Sequence, residues 1–374
     1  SKVVRGAGEA GFRSVHVKVG PDVPGRDDLM REIKDIFRTS GIQGSLNSGR
    51  AAEGAMTWEL FPDARMKGEG YDLSVGLGKA TVRAGSFGGF FNALQTLRQL
   101  VFNREGEFAM PVVRISDKPA FVLRGIMLDV GRYYMSPALI KEVMRRLSRY
   151  KINTLHLHLT DDPAWRMEVK KYPALTDGAF HWKSRLPGRF YTQAQLKDLT
   201  DYCARLNIQV IPEIDMPGHS QPFARAMKTG MQTEKGVSIL KDVVDEAVSL
   251  FPGRFFHMGS DEAHISMKDF IPRMAEHIRG KGKEVVVWSP GGPHDKDSVL
   301  MCWGENEAGA RMDKNMKRID SNGFYIDWAD SQSGVYQVFF QQPCEVPQGD
   351  DKALGAIMPV WCDGNLSSER RVLE

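Results

Sequence analysis

From Phe121 onward one unit recurs: a short apolar, β-branched run ends in polar or aromatic residues, and a helical pattern usually follows. The runs are Val122–Asp129, Thr154–Thr160, Ile208–Asp215, Phe255–Gly259, Glu284–Trp288, Val299–Trp303, Phe324–Asp327 and Ala356–Trp361. Eight strands over roughly 250 residues is the count and size of a (β/α)8 TIM barrel, whose active site lies at the C-terminal strand ends. Helical patterns are clear at Pro137–Tyr150, Thr192–Leu206, Gln221–Met227 and Phe270–Arg279, and poorly marked between the fifth and eighth runs. Few residues follow Trp361, so the last helix is expected to be short, missing or supplied by further sequence.

The region before the barrel has a different texture. Arg13–Val19 alternates with period two, and Leu29–Phe37 has helical spacing. Tyr71–Val75 and Lys79–Ala84 flank Gly76-Leu77-Gly78, which reads as a hairpin. Gly89–Phe102 carries Phe91, Leu94, Leu97, Leu100 and Val101 at helical spacing. The expected organisation is a small α/β (α+β) domain over 1–115 and the barrel over 116–374, with Pro111–Pro119 as the linker.

Composition removes several function classes. The 50 Lys+Arg against 47 Asp+Glu leave a formal charge of +3, and neither sign forms a long block. The basic series Lys141, Arg145, Arg146, Arg149 and Lys151 falls on a helical pattern and reads as a solvated face, so no nucleic-acid partner is expected. No stretch approaches the roughly 18 apolar residues of a membrane helix. Cys203, Cys302, Cys344 and Cys362 are scattered, form no CxxC pair and make no disulfide framework. The chain starts at Ser1 without Met, which is expected of a processed or trimmed product.

The strand ends carry the chemistry. They present Asp129 and Arg132, Asp161-Asp162, Asp215 and His219, then Asp261-Glu262. The later ends present Trp288, Trp303, Tyr325 with Asp327, and Trp361 with Asp363. Indole faces pack on pyranose rings, while carboxylates and Arg bond hydroxyls. Acidic pairs at such a rim suit acid–base work on a glycosidic bond. Asp245-Glu246 is the internal control: it lies within the helical run Asp242–Leu250 and reads as a solvated face. His156 and His158 alternate along one strand and point the same way. His158 reads as a buried member of a polar network in preference to a metal ligand. Glu213 is left open between structural and functional, as are Trp165 and Trp182 between lid and core.

Four stretches carry a family resemblance: Arg124-Gly-Ile-Met-Leu-Asp129-Val-Gly-Arg132-Tyr-Tyr, Leu155-His-Leu-His158-Leu-Thr-Asp161-Asp162, Ile211-Pro-Glu-Ile-Asp215-Met-Pro-Gly-His219 and His257-Met-Gly-Ser-Asp261-Glu262. They resemble the motifs of the family 20 glycoside hydrolases, the β-N-acetylhexosaminidases, in family order. Glu69-Gly-Tyr-Asp-Leu and Gln95-Thr-Leu-Arg-Gln-Leu100 resemble that family's helper domain, so the similarity covers nearly the whole chain.

The resemblance implies a retaining exo-β-N-acetylhexosaminidase in which the substrate's 2-acetamido group is the nucleophile and an oxazolinium-type intermediate forms. Glu262 would be the general acid and then base, and Asp261 would stay ionised against the acetamido N–H. Tyr325 would donate to the acetamide oxygen, Arg132 would bond the far ring hydroxyls, and Trp288, Trp303 and Trp361 would wall the pocket. Asp327 and Asp363 would bond the outer hydroxyls, while Asp161 and His219, with His158 behind them, would hold the acidic pair in place. The implied partner is a glycan with a terminal N-acetylhexosamine. No metal or organic cofactor is implied, and an extracytoplasmic (secreted or periplasmic) location is expected. Two positions depart from the family pattern: Ser260 stands where a second Gly is usual, and Trp361-Cys362-Asp363 ends one methylene shorter than the usual Trp-x-Glu. An altered preference at O4 or O6 is therefore expected.

Rival readings are weaker. Gly6-Ala-Gly8-Glu-Ala-Gly11 matches GxGxxG, but too little chain precedes it and a strand pattern follows. A metal-dependent hydrolase built on His156 and His158 would want further ligands at later strand ends, which carry Trp. A catalytically silent sugar-binding protein would lose the acid, and Glu262 is present. A family relative of the lacto-N-biosidase type, releasing a disaccharide, differs by loop lengths that sequence does not rank.

Overall fold

The computed structural model describes residues 1–47, 50–104, 107–304, 312–326, 336 and 338–364. The chain divides into two compact units, one formed mainly by Ser1–Pro119 and the other by most of Ala120–Glu374.

The first unit is a mixed sheet in the order Lys2–Phe12, Glu107–Asp117, Tyr71–Gly76, Lys79–Ala84, Ala55–Pro62, Ser14–Val19, Gln43–Leu46, with Phe102–Arg104 paired to Glu107–Asp117. Burial alternates along Ala55–Pro62, Tyr71–Gly76 and Lys79–Ala84, as period-two side chains require when one face is covered. Helices Arg26–Ser40 and Phe87–Leu100 bury Leu29, Ile33 and Ile36, and Phe90, Phe91, Leu94 and Leu97. Pro111–Pro119 is not a linker: most of it belongs to the strand Glu107–Asp117. Pro111 has no N–H for a ladder, and it sits where the register with Lys2–Phe12 shifts between Arg5 and Glu9. The GxGxxG string lies inside Lys2–Phe12, so its glycines serve a bulged strand and no phosphate loop.

The second unit is a closed barrel of eight parallel strands. In chain order these are Leu123–Asp129, Thr154–His158, Gln209–Glu213, Phe255–His257, Glu284–Ser289, Val299–Cys302, Lys317–Asp320 and Ala353–Val360. Leu123, Met127, Ile211, Val286, Met301, Ile319 and Ile357 are among the buried side chains of its core. Helices Pro137–Ser148, Gln193–Arg205, Gln221–Met227, Glu234–Leu250 and Phe270–Gly280 accompany the first four strands, and among the described residues no helix is long and apolar enough to cross a membrane.

The seventh strand departs from expectation. It is Lys317–Asp320, and Phe324 and Tyr325 lie in the loop beyond its C-terminal end. Lys-Arg-Ile-Asp hides its burial because only Ile319 is apolar. Arg318 Nη1 donates to Lys314 O, and Asp320 accepts the backbone N–H groups of Asn322 and Cys344. Trp165 is core, with its indole N–H on Met167 O at 2.8 Å, whereas Trp182 is exposed.

Candidate active site

The first barrel strand ends at Asp129, which folds the following turn around itself. Its carboxylate accepts the Arg132 backbone N–H at 2.9 Å and Nη1 at 3.1 Å. Arg132 Nη2 lies 3.0 Å from Asp161, Nε lies 3.1 Å from Asp363, and the guanidinium sits 5.0 Å from the Trp361 ring centre. Burial opposes that charge, but the three carboxylates more than offset it and raise the Arg132 pKa. Arg132, expected to reach ring hydroxyls, is thus first the hub of an acidic net.

Beneath it lies a wholly buried polar floor centred on Glu213. Trp288 Nε1 donates to Glu213 Oε1 at 2.7 Å, and His158 Nδ1 is 2.7 Å from Oε2. The other His158 nitrogen is 2.8 Å from Asp161. Burial disfavours a charged His158, yet Glu213 and Asp161 on its two nitrogens hold its pKa well above the ordinary value. The same balance keeps Glu213 well below the carboxylate range, with burial opposing and the histidines prevailing. His156 lies 2.8 Å from Glu213, but desolvation dominates there and lowers its pKa to about 4. Glu213 is therefore a structural anion. Trp288, expected as a wall, is 1% exposed and forms part of the floor.

His219 links the floor to the acid. Its Nδ1 is 3.5 Å from Asp161 and its Nε2 is 3.4 Å from Glu262. The bond to Asp161, helped by Asp215 and opposed by burial, raises the His219 pKa to about 9. Asp161 is correspondingly depressed: burial would raise it, but His158, His219 and Arg132 win. Glu262 projects from this cationic imidazole into solvent, its side chain 60% exposed. The loop that carries it is tied down by Gln232, which accepts from the N–H groups of Ser266 and Met267 and donates to His264 O.

Asp261 lies beside Asp215 and His219. Ligand atoms of Asp215, His219 and Asp261 fall within 4.8 Å of one another. Burial, then Asp261 and Glu213, raise Asp215 well above its ordinary value. Burial and the Glu213 charge push Asp261 up to about 7. Both carboxyls are thus shifted toward their protonated forms. Asp215, given no role from sequence, is the residue most clearly missed. Its Glu213-x-Asp215 alternation, matching His156-x-His158, was the available signal.

Every site residue expected from sequence except Asp327, which lies outside the described residues, lines one cavity of about 290 Å3, and Asp215 joins them. Trp361 packs 5.6 Å from Trp288 and 6.2 Å from Tyr325, centre to centre. Trp303 is oriented by its indole N–H on Pro290 O at 2.8 Å. The loop bearing Tyr325 is fixed by Phe324 N–H on Ser321 O and Ile326 N–H on Pro359 O. His156, Glu213 and His257 also cluster within 4.8 Å, but Glu213 there already serves His158 and Trp288.

A closed eight-stranded barrel with adjacent carboxyls and closely packed, tilted indoles at its C-terminal rim fits a carbohydrate-acting class of protein. Residues 121–236 match the profile of the glycosyl hydrolase family 20 catalytic domain, and residues 3–118 that of the same family's domain 2, together more than half of the chain. A beta-hexosaminidase of Porphyromonas gingivalis is 30% identical across 82% of this chain and 49% of its own length. The solved beta-N-acetylhexosaminidase from Streptomyces coelicolor A3(2) superposes with a TM-score of 0.85 at 25% identity, covering 99% of this chain and 86% of that one. A mutant Streptomyces plicatus beta-hexosaminidase in complex with product (GlcNAc) gives 0.84 at 26% identity, covering 99% and 85%. The chain belongs to glycosyl hydrolase family 20. It spans about half the length of the curated Porphyromonas gingivalis relative.

Proposed function

We propose that this chain is a retaining exo-β-N-acetylhexosaminidase that removes terminal β-linked N-acetylhexosamine by substrate-assisted catalysis. The observation that carries the reading is the divergent settings of two adjacent carboxyls: Glu262 is 60% exposed beside His219, and Asp261 clusters with the buried Asp215 and with His219. A positive φ at Ser260 and at Glu262, 82° and 47°, supports that divergence by turning the chain sharply on both sides of Asp261. The relatives named beta-hexosaminidases and the Streptomyces plicatus complex with GlcNAc point to the same substrate class. A cavity of about 290 Å3 lies at the lower end of the ~300–1,000 Å3 usual for small-molecule sites, which suits one terminal ring.

The steps follow from these positions. The acetamide oxygen of the bound sugar attacks the anomeric carbon as the bond to the leaving oxygen breaks, and Glu262 gives that oxygen its proton. Asp261 accepts the acetamido N–H and balances the charge that grows on the forming ring, while Tyr325 donates to the acetamide oxygen. His219 stabilises the carboxylate left on Glu262. Water then adds to the anomeric carbon, Glu262 takes its proton, and the acetamide is restored with β configuration kept. Trp361 and Trp303 flank the ring, and Asp363 meets its outer hydroxyls.

Proton NMR of the first product formed from an aryl β-N-acetylglucosaminide tests this reading. Initial appearance of the β-anomer supports it. An initial α-anomer contradicts it, because direct attack by water inverts.

A further inference from the structure

The segment after the eighth strand, Trp361 to Gly364, has no regular secondary structure, although it carries Asp363. Its backbone is held by a side chain. Arg185, 9% exposed, donates Nη1 to Cys362 O at 2.8 Å and to Gly364 O at 2.9 Å, and Nη2 to Asp363 O. A buried guanidinium given to three successive neutral carbonyls is a costly arrangement that surface attachment of a loop does not need.

Arg185 is itself fixed. Arg166, wholly buried, donates to the carbonyls of Arg185, Leu186 and Arg189, and its Nε reaches Val130 and Gly131 O. Gly131 precedes Arg132, and Arg132 Nε meets the Asp363 carboxylate at 3.1 Å. The contacts close a ring: Arg132, Asp363, Arg185, Arg166 and back to the turn before Arg132. Asp363 is one methylene shorter than Glu, so where its carboxylate stands depends on where its backbone is pinned.

We propose that Arg185 is a positioning residue that sets the Asp363 carboxylate against the outer hydroxyls of the terminal sugar and so governs discrimination between gluco and galacto configurations. This rests on the hexosaminidase reading above. Arg185 touches no substrate; it acts through Asp363.

The test is a double-mutant cycle on the full chain, with kcat and KM measured on aryl β-N-acetylglucosaminide and aryl β-N-acetylgalactosaminide for wild type, Arg185→Gln, Arg185→Lys, Asp363→Ala and Arg185→Gln with Asp363→Ala. Arg185→Gln is expected to change the gluco/galacto ratio of kcat/KM by about fivefold or more, mainly through KM, while the same change in the Asp363→Ala background moves it by less than about twofold. Arg185→Lys, which keeps the charge but cannot span three carbonyls, is expected to fall between, and it decides the matter if Arg185→Gln does not fold. Ratios unchanged in both Arg185 variants, or shifted equally with and without Asp363, overturn the proposal. A wild-type protein that cleaves neither glycoside overturns the hexosaminidase reading, and this proposal with it.

Discussion

A Cβ placed on Gly259 would lie 1.8 Å from Asp215 Oδ1, so the fourth barrel strand can leave the barrel there only as glycine. The backbone agrees, with φ of 66° at Gly259 and 82° at Ser260. The Ser260 N–H, 3.3 Å from the same oxygen, then turns the chain so that Asp261 faces Asp215 and Glu262 faces the opening.

Gly259→Ala must displace Asp215 and adopt a left-handed φ. We expect a loss of about 2–4 kcal/mol in stability and at least a hundredfold fall in activity, read by thermal melting and aryl-glycoside turnover.

Ser260→Gly is expected to act in the opposite sense. Ser260 holds a positive φ with a side chain, and its buried hydroxyl has no hydrogen-bond partner among the described residues. Relief of both should outweigh the added freedom of the unfolded chain and stabilise by about 0.5–1 kcal/mol, with turnover little changed. A lower melting temperature would contradict this account of the turn.

The pH dependence follows from Asp261. Its carboxyl is pushed up to about 7, and in the proposed reaction it must be ionised to receive the acetamido N–H. Ionisation grows as pH rises, so on the acid side kcat/KM should climb about tenfold per unit up to about pH 7. The acid limb of kcat should lie lower, because bound substrate supplies Asp261 with a donor. Burial shifts Asp215 toward its protonated form, so Asp215→Asn should leave the kcat/KM limb in place; a downward shift of a unit would show Asp215 charged in the free protein.

Trp288→Phe keeps an aromatic ring but removes the N–H that donates to Glu213 Oε1. Leaving a buried carboxylate under-bonded should cost about 1–3 kcal/mol, seen in chemical denaturation.

Most of the barrel was legible because seven strands are apolar runs between turn and helix signals, and their ends named the rim. Lys317–Asp320 was not legible: its burial rests on Arg318 and Asp320 finding polar partners, a property of packing that hydropathy does not record. The strand containing Pro111 was hidden for the complementary reason, since a bulge accommodates the proline. At the site, residue identity was readable but not protonation. Glu213 and Asp215 look alike on the chain, yet the histidines around the one lower its pKa, while burial and Asp261 raise that of the other. Arg185 carried no signal at all, because its partners are backbone carbonyls of a segment far along the chain.

In the proposed reaction the substrate brings its own nucleophile. Chromophore release from an aryl β-N-acetylglucosaminide, measured beside the matching aryl β-glucoside that lacks the acetamide, tests it most directly. Rapid cleavage of the first and none of the second above background is expected. Comparable cleavage of both would contradict it and require a carboxylate nucleophile within the protein.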